Sequence, residues 1–117
     1  MKIEEIRGLL GLARRAGRLS VGSRETRIGL HRGEVRLVLL AADASPRDRE
    51  RVTRVAAEEG VPARIVGDRD TLGAAIGRDA VAVLGVRDAG MAQGLLARLK
   101  GIEGGRREAG RPGGQTK

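Results

Sequence analysis

The chain has 117 residues, the length of a single domain, with 23 Lys and Arg against 15 Asp and Glu and a formal net charge of +8. It contains no Phe, Tyr, Trp or Cys, which excludes base stacking on aromatic rings, disulfides, thiolate metal sites and a cysteine nucleophile. Its one histidine, His31, cannot form a histidine metal cluster, and we predict neither a metal site nor a cofactor. The excess of positive charge favours a polyanionic partner.

The apolar segments of the chain are short. None approaches the roughly 20 residues that a membrane-spanning helix requires, and the start does not resemble a secretory signal. We therefore expect a cytoplasmic protein with no membrane partner.

The first predicted element is a helix over residues 2–16. Its apolar residues recur at helical spacing and form one stripe: Ile3, Ile6, Leu9, Leu10 and Ala13. Arg14 and Arg15 lie in the last turn, where the helix dipole favours cations, and Gly17 is a typical residue just after a helix end.

Residues 18–33 predict a strand over 18–21, a turn at Gly22 and a helix over 23–32 with Ser23 as its N-cap. Backbone N–H groups at such a helix start form a natural anion site. Arg24 and Arg27 lie in the first turn, where the dipole disfavours cations, and this placement suggests a role other than helix stability. The alternative is an ordinary solvated helix start.

The remaining pattern alternates strands with helices. The predicted elements are a strand at 36–42, a helix at 46–59, a strand at 63–67, a short helix ending at Gly77, a strand at 80–86 and a helix at 88–99. Ser45 and Pro46 predict the N-cap and first residue of one helix, and Asp70 predicts the cap of the next. We assign residues 1–100 to the domain and residues 101–117 to a disordered basic tail rich in Gly and Arg.

This alternation predicts an α/β fold, a three-layer α/β/α sandwich with a central mixed sheet of about four strands. In such sheets, sites lie where loops leave the strand ends. The Gly22, Asp43 and Gly77 regions are all such connections, but the sequence does not show whether they converge.

The chain carries none of the common catalytic motifs, and we predict no catalytic residues and no enzyme activity. Its candidate carboxylates have no evident acid–base partner: Asp43, Asp68, Asp70, Asp79 and Asp88. Arginines beside a helix start bind phosphates instead, and Glu25 can accept hydrogen bonds from a base edge. Without aromatic rings, recognition would depend on the shape of structured RNA rather than on stacked single strands.

Five segments together carry a family resemblance. They are Leu9–Gly17, Gly22–Glu25, Leu37–Ser45, Val61–Pro62 and Leu72–Arg78. In this order they resemble the kink-turn-binding ribosomal-protein superfamily of the L7Ae and L30e type, and most closely its bacterial YlxQ-like branch. The resemblance implies an α/β/α sandwich that binds kinked, internally looped RNA.

The resemblance also implies where RNA would bind. The family reads sheared G·A pairs with a Gly-x-Asn-Glu turn and a lysine one turn later. Gly22 and Glu25 match the glycine and the glutamate of this turn. Arg24 replaces the asparagine, and Ile28 replaces the lysine. Arg32 matches a basic position at the helix end, and the loop over Ile76–Val81 corresponds to one that covers a flipped-out nucleotide. The candidate RNA-binding residues are Gly22, Ser23, Arg24, Glu25, Arg27, Ile28, Arg32, Ile76, Gly77, Arg78 and Ala80.

We expect a monomeric protein. Its expected partners are ribosomal RNA or another kinked RNA, and the ribosome. The alternative is a protein-interaction or ribosome-associated module that keeps the fold but has lost specific kink-turn recognition.

Overall fold

The computed structural model describes residues 3–107, and the elements follow the predicted order. They are a 3₁₀ turn at Ile3–Glu5, α1 at Arg7–Arg15, β1 at Leu19–Val21, α2 at Ser23–His31, β2 at Leu37–Leu40, α3 at Pro46–Glu58, β3 at Ala63–Ile65, α4 at Arg69–Ala75, β4 at Val83–Val86 and α5 at Ala89–Arg107.

The four strands form one mixed sheet in the order β1-β4-β2-β3. Both β1 and β2 run antiparallel to β4, and β3 runs parallel to β2. This confirms the predicted α/β class and mixed sheet. Because β1 and β2 point the same way, the connections that begin at Gly22 and Ala41 leave the sheet at the same edge.

Two apolar cores lie on opposite faces of the sheet, which gives the three predicted layers. In β2, Leu37 and Leu39 join the core that includes residues of α1, α4 and α5, whereas Val38 and Leu40 join the core that includes residues of α2 and α3. This alternation follows from the two-residue period of a strand. The continuous apolar run of β2 is thus explained by burial on both faces.

Two glycines at helix ends bear directly on the site. Gly17 follows α1 with φ 70°, and Gly77 follows α4 with φ 75°. At the first, the N–H of Gly17 donates to the carbonyl of Arg14 at 3.0 Å, and the N–H of Arg18 donates to that of Ala13 at 2.9 Å. These bonds satisfy the last carbonyls of α1 and turn the chain sharply into β1.

The helix starts are partly as predicted. Ser45 caps α3, its hydroxyl accepting from the N–H of Asp48 at 3.1 Å, and Pro46 is the first helical residue. The predicted cap Ser23 is wrong: α2 has Gly22 at the N-cap position, with no side-chain cap. The predicted cap Asp70 is also wrong, because Asp68 caps α4 two residues earlier.

The two terminal helices differ from the prediction in extent. The first predicted helix is interrupted at Ile6, whose backbone is not helical, so a 3₁₀ turn precedes α1. The last helix continues past Leu99 to Arg107 and so includes residues 101–107 of the predicted tail. Glycine in a helix costs only about 1 kcal/mol, whereas proline costs about 3 kcal/mol, and the next proline is Pro112. The rest of the predicted tail lies outside the described residues.

Candidate functional site

The turn between β1 and α2 depends on the backbone of Gly22. Its φ of 98° and ψ of 161° place it in a region that is essentially restricted to glycine. The N–H of Gly22 donates to the carbonyl of Val83 at 2.8 Å, and its carbonyl accepts from the N–H of Thr26 at 3.1 Å. The chain therefore passes directly from the edge of the sheet into the helix.

The first turn of α2 faces solvent. The N–H groups of Ser23, Arg24 and Glu25 precede the first intrahelical hydrogen bond, which Thr26 makes to Gly22. The Ser23 hydroxyl accepts a hydrogen bond from Nε of Arg27 at 3.3 Å rather than capping the helix. The side chains of Arg24 and Glu25 are exposed. The positive end of the helix dipole is thus open to a ligand.

The opposite face of α2 packs closely on the sheet. Thr26 is fully buried, and its hydroxyl donates to the carbonyl of Ser20 at 3.4 Å. A Cβ added at Gly29 would lie 2.6 Å from Cγ2 of Val35, and one added at Gly85 would lie 3.0 Å from Cγ2 of Thr26. The exposed side chains of α2 are therefore held on a helix that has little freedom to shift.

A groove of about 330 Å³ runs beside β1, the outermost strand at this end of the sheet. It is lined by Leu19, Ser20, Val21, Glu25, Ile28, Gly29, Arg32, Glu34, Arg78 and Arg87. Four predicted site residues thus come together here, namely Glu25 and Ile28 from α2, Arg32 at the C-cap of α2, and Arg78 from the connection between α4 and β4. Its charged lining consists of Arg32, Arg78 and Arg87 together with Glu25 and Glu34.

The other predicted residues of the α4–β4 connection divide into two sets. Gly77 and Ala80 are exposed and, with Arg78 and Asp79, line a second depression. Ile76 is only 2% exposed and belongs to a core, so its side chain lines neither depression. Its side chain is occupied by packing against the sheet.

Asp43 is not part of this groove. Its Oδ1 accepts from the N–H of Arg69 at 2.8 Å, and its Oδ2 lies 3.8 Å from Nε of Arg69. Asp43 therefore anchors the start of α4. Among the described residues, no group of three or more His, Cys, Asp or Glu is placed to hold a metal ion.

The sequence profile of the ribosomal protein L7Ae/L30e/S12e/Gadd45 family matches residues 4–96. The chain belongs to this family. It is 36% identical over 91 residues to the RNA-binding protein YlxQ of Bacillus subtilis, covering 78% of this chain and 91% of that protein. The predicted superfamily and its YlxQ-like branch are confirmed.

Solved structures agree with this assignment. A protein of unknown function from Bacillus halodurans superposes with a TM-score of 0.78 at 35% identity, covering 80% of this chain and 95% of that one. The 15.5-kD RNA-binding protein of Giardia lamblia superposes with a TM-score of 0.68 at 24% identity, covering 84% and 83% of the two chains. The second likeness shows that the fold is shared.

Within this L7Ae-type domain, three charged residues near the groove were missed by the sequence analysis. Glu34 and Arg87 line the groove, and Arg14 lies against Gly77, with Nη1 3.6 Å from where a Cβ would stand. Arg14 and Arg87 are close to the groove only through tertiary structure, whereas Glu34 follows Arg32 by two residues. Residues 14–36 carry seven arginines against two glutamates, and of the two missed arginines this cluster of positive charge includes only Arg14.

No helix in the described part of the chain has the length and apolar character needed to cross a bilayer.

Proposed function

We propose that this protein binds structured RNA of the kink-turn type, without catalysing a reaction, through the first turn of α2 and the groove beside β1. The single observation that carries the proposal is the open helix start, which lies next to a groove holding Glu25, Arg32 and Arg78. Membership of a family of ribosomal proteins and the likeness to RNA-binding protein YlxQ support it.

Phosphate binding would be provided by the helix start and the arginines. The open N–H groups of Ser23 and Arg24 point along the helix axis toward any ligand beyond Gly22, and the dipole favours a negative charge there. A phosphate at this position would also offset the unfavourable location of Arg24 and Arg27 in the first turn. Such contacts position RNA but do not read its sequence.

Base reading would depend on Glu25. A carboxylate accepts hydrogen bonds only, so it is suited to the amino and imino groups of guanine. Its neighbour Arg24 can only donate, whereas an asparagine at that position would both donate and accept. We therefore expect Glu25 to define the preferred bases and Arg24 to contact an acceptor such as a phosphate or guanine O6.

We further propose that the protein acts in the cytoplasm as a monomer and that its RNA is ribosomal. The family to which it belongs is named for ribosomal proteins. The absence of a catalytic motif in the sequence is the reason for proposing binding alone.

The experiment compares a kinked RNA containing tandem G·A pairs with a plain duplex of equal length, at one salt concentration. We expect the full-length chain to bind the kinked RNA more tightly. Glu25→Gln should lower its affinity for the kinked RNA by about tenfold, in line with the loss of one base-specific contact. The matched control is Glu50→Gln on α3, a carboxylate with 77% side-chain exposure, which should leave binding unchanged.

Equal affinity for the two RNAs would contradict specific recognition, and equal losses in the two variants would place the site elsewhere. If neither RNA binds, a protein-interaction module becomes the better explanation. A partner that remains bound after RNase treatment of a lysate would support that alternative.

A further inference from the structure

The C-terminal end of α1 is physically connected to both sides of the groove. Nη2 of Arg87, a groove residue, donates to the carbonyl of Gly17 at 2.6 Å. On the other side, the guanidinium of Arg14 lies over Gly77, the residue before Arg78. The segment Arg14–Arg18 therefore lies next to the groove and directly precedes Leu19, one of its lining residues.

Arg87 links the groove to the end of α1, and one of its hydrogen-bond donors is unused. Its Nε is buried and has no hydrogen-bond partner in the described part of the chain. An unpaired buried donor is costly, and on a charged group more so. Because this Nε is shielded from solvent, an external anion would stabilise the Arg87 guanidinium through its charge rather than by accepting from this nitrogen.

The arginines along this route have no acidic partner among residues 3–99. They are Arg14, Arg15, Arg18, Arg32, Arg78 and Arg87, and no carboxylate among the side chains of residues 3–99 lies within 4.0 Å of their guanidinium nitrogens. On the other helices, Arg54 pairs with Glu50 at 4.0 Å and Arg69 with Asp43 at 3.8 Å. Positive charge along the route is therefore available to an external anion.

We propose that the RNA surface extends from the groove to the end of α1, and that this extension binds the sugar–phosphate backbone of a helical stem beyond the internal loop. This inference rests on the proposed function. The strand β1 has three residues, which span about 10 Å at 3.3 Å each, so the two ends of the surface are too far apart for one phosphate. A regular stem supplies phosphates at successive positions, and arginines without fixed partners suit contacts that do not depend on sequence.

The experiment uses the full-length chain and two kinked RNAs with the same G·A internal loop. One has a minimal stem, and the other has that stem extended by one helical turn. The test variant combines Arg14→Gln with Arg18→Gln, and the matched control combines Arg51→Gln with Arg54→Gln on α3. Affinity is measured over a series of KCl concentrations, and thermal unfolding of each variant verifies that it is folded.

We expect the unmodified chain to bind the extended RNA more tightly than the minimal RNA. The Arg14 and Arg18 variant should lose about tenfold in affinity for the extended RNA, and its salt slope should fall by about 2, or 1 for each lost phosphate contact. Its affinity for the minimal RNA should be unchanged, as should both affinities of the control.

The proposal is overturned if stem extension has no effect on binding, or if the two double variants behave alike. Glu25→Gln separates this failure from failure of the proposed function. If Glu25→Gln weakens binding to both RNAs while Arg14 and Arg18 prove neutral, the site on α2 stands and its extension does not. If neither RNA is bound, both proposals fail.

Discussion

The start of α2 differs from the starts of α3 and α4 in how the backbone N–H groups are satisfied. Ser45 and Asp68 each accept a hydrogen bond from the first turn of the helix that they precede. At α4 the capping is reciprocal, since the Thr71 hydroxyl also accepts from the N–H of Asp68 at 2.9 Å. Gly22 has no side chain to do the same for α2.

The difference shows where the chain forgoes stability. A side-chain cap contributes about 1 kcal/mol, and a cation in the first turn costs about 0.3–1 kcal/mol where it is not screened. The start of α2 lacks the first and carries Arg24 and Arg27 as well. The helices α3 and α4 are capped by their own side chains, whereas no side chain accepts from the first-turn N–H groups of α2.

The largest expected effect is on the backbone of the Gly22 turn. Gly22→Ala should destabilise the protein by about 1–3 kcal/mol, because alanine does not tolerate a positive φ of 98° with this extended ψ. The added Cβ would meet no atom within 4 Å, so the loss would report strain alone. Urea unfolding measures it.

The matched control for Gly22 is Gly8 in α1, where an added Cβ also meets nothing within 4 Å. Gly8→Ala should stabilise the protein by up to about 1 kcal/mol, because Gly8 is in an ordinary helical conformation. Stabilisation of both variants would mean that Gly22 does not hold its special conformation in solution.

A pair of serines tests the comparison more directly. Ser45→Ala should reduce the free energy of unfolding by about 1 kcal/mol through loss of the α3 cap. Ser23→Ala should change it by less than about 0.5 kcal/mol, because its hydroxyl does not cap α2. Chemical denaturation of the two variants side by side is the measurement. Equal losses would show that Ser23 does cap α2, and the contrast between the helices would disappear.

The smallest expected effect is on how the stability of the protein depends on pH. Hydrogen bonds from the backbone N–H and then the hydroxyl of Thr71 hold the pKa of Asp68 below its ordinary value of 3.8. Because the folded-state pKa is lowered, the ionised carboxylate of Asp68 stabilises the fold above pH 3.8. This stabilisation is lost as the pH falls through the folded-state pKa. Asp68→Asn should therefore be less stable than the native chain at neutral pH.

The stability difference caused by Asp68→Asn should shrink in strong acid, which thermal unfolding at a series of pH values would detect. A constant difference across the series would indicate that the Asp68 side chain is not held by Thr71.

The sequence predicted what depends on local pattern. The apolar run that became Leu37–Leu40 and the Ser45-Pro46 pair each determine their structure within a few residues, and both were read correctly. Ser23 was misjudged because a glycine with unusual φ and ψ can occupy the cap position one residue earlier. Asp70 was misjudged because Asp68 and Thr71 have the spacing for reciprocal capping, which begins the helix sooner.

The groove was predictable only in part. Glu25, Ile28 and Arg32 follow helical spacing, so their shared face can be derived from the sequence. The joining of Arg78 and Arg87 to that face depends on the pairing of β1 with β4, which brings together segments more than 60 residues apart. The burial of Ile76 could not be predicted, because an apolar residue beside a loop looks the same in sequence whether it faces a ligand or a core.

A core assembled from aliphatic side chains alone has a spectroscopic consequence. Without tryptophan or tyrosine, the chain has no intrinsic near-ultraviolet fluorescence of its own. A tryptophan in place of Ile28, which is half-buried in the groove, would be its only emitter. Titrating such a variant would therefore record occupancy of the groove itself, with no background signal from the rest of the fold.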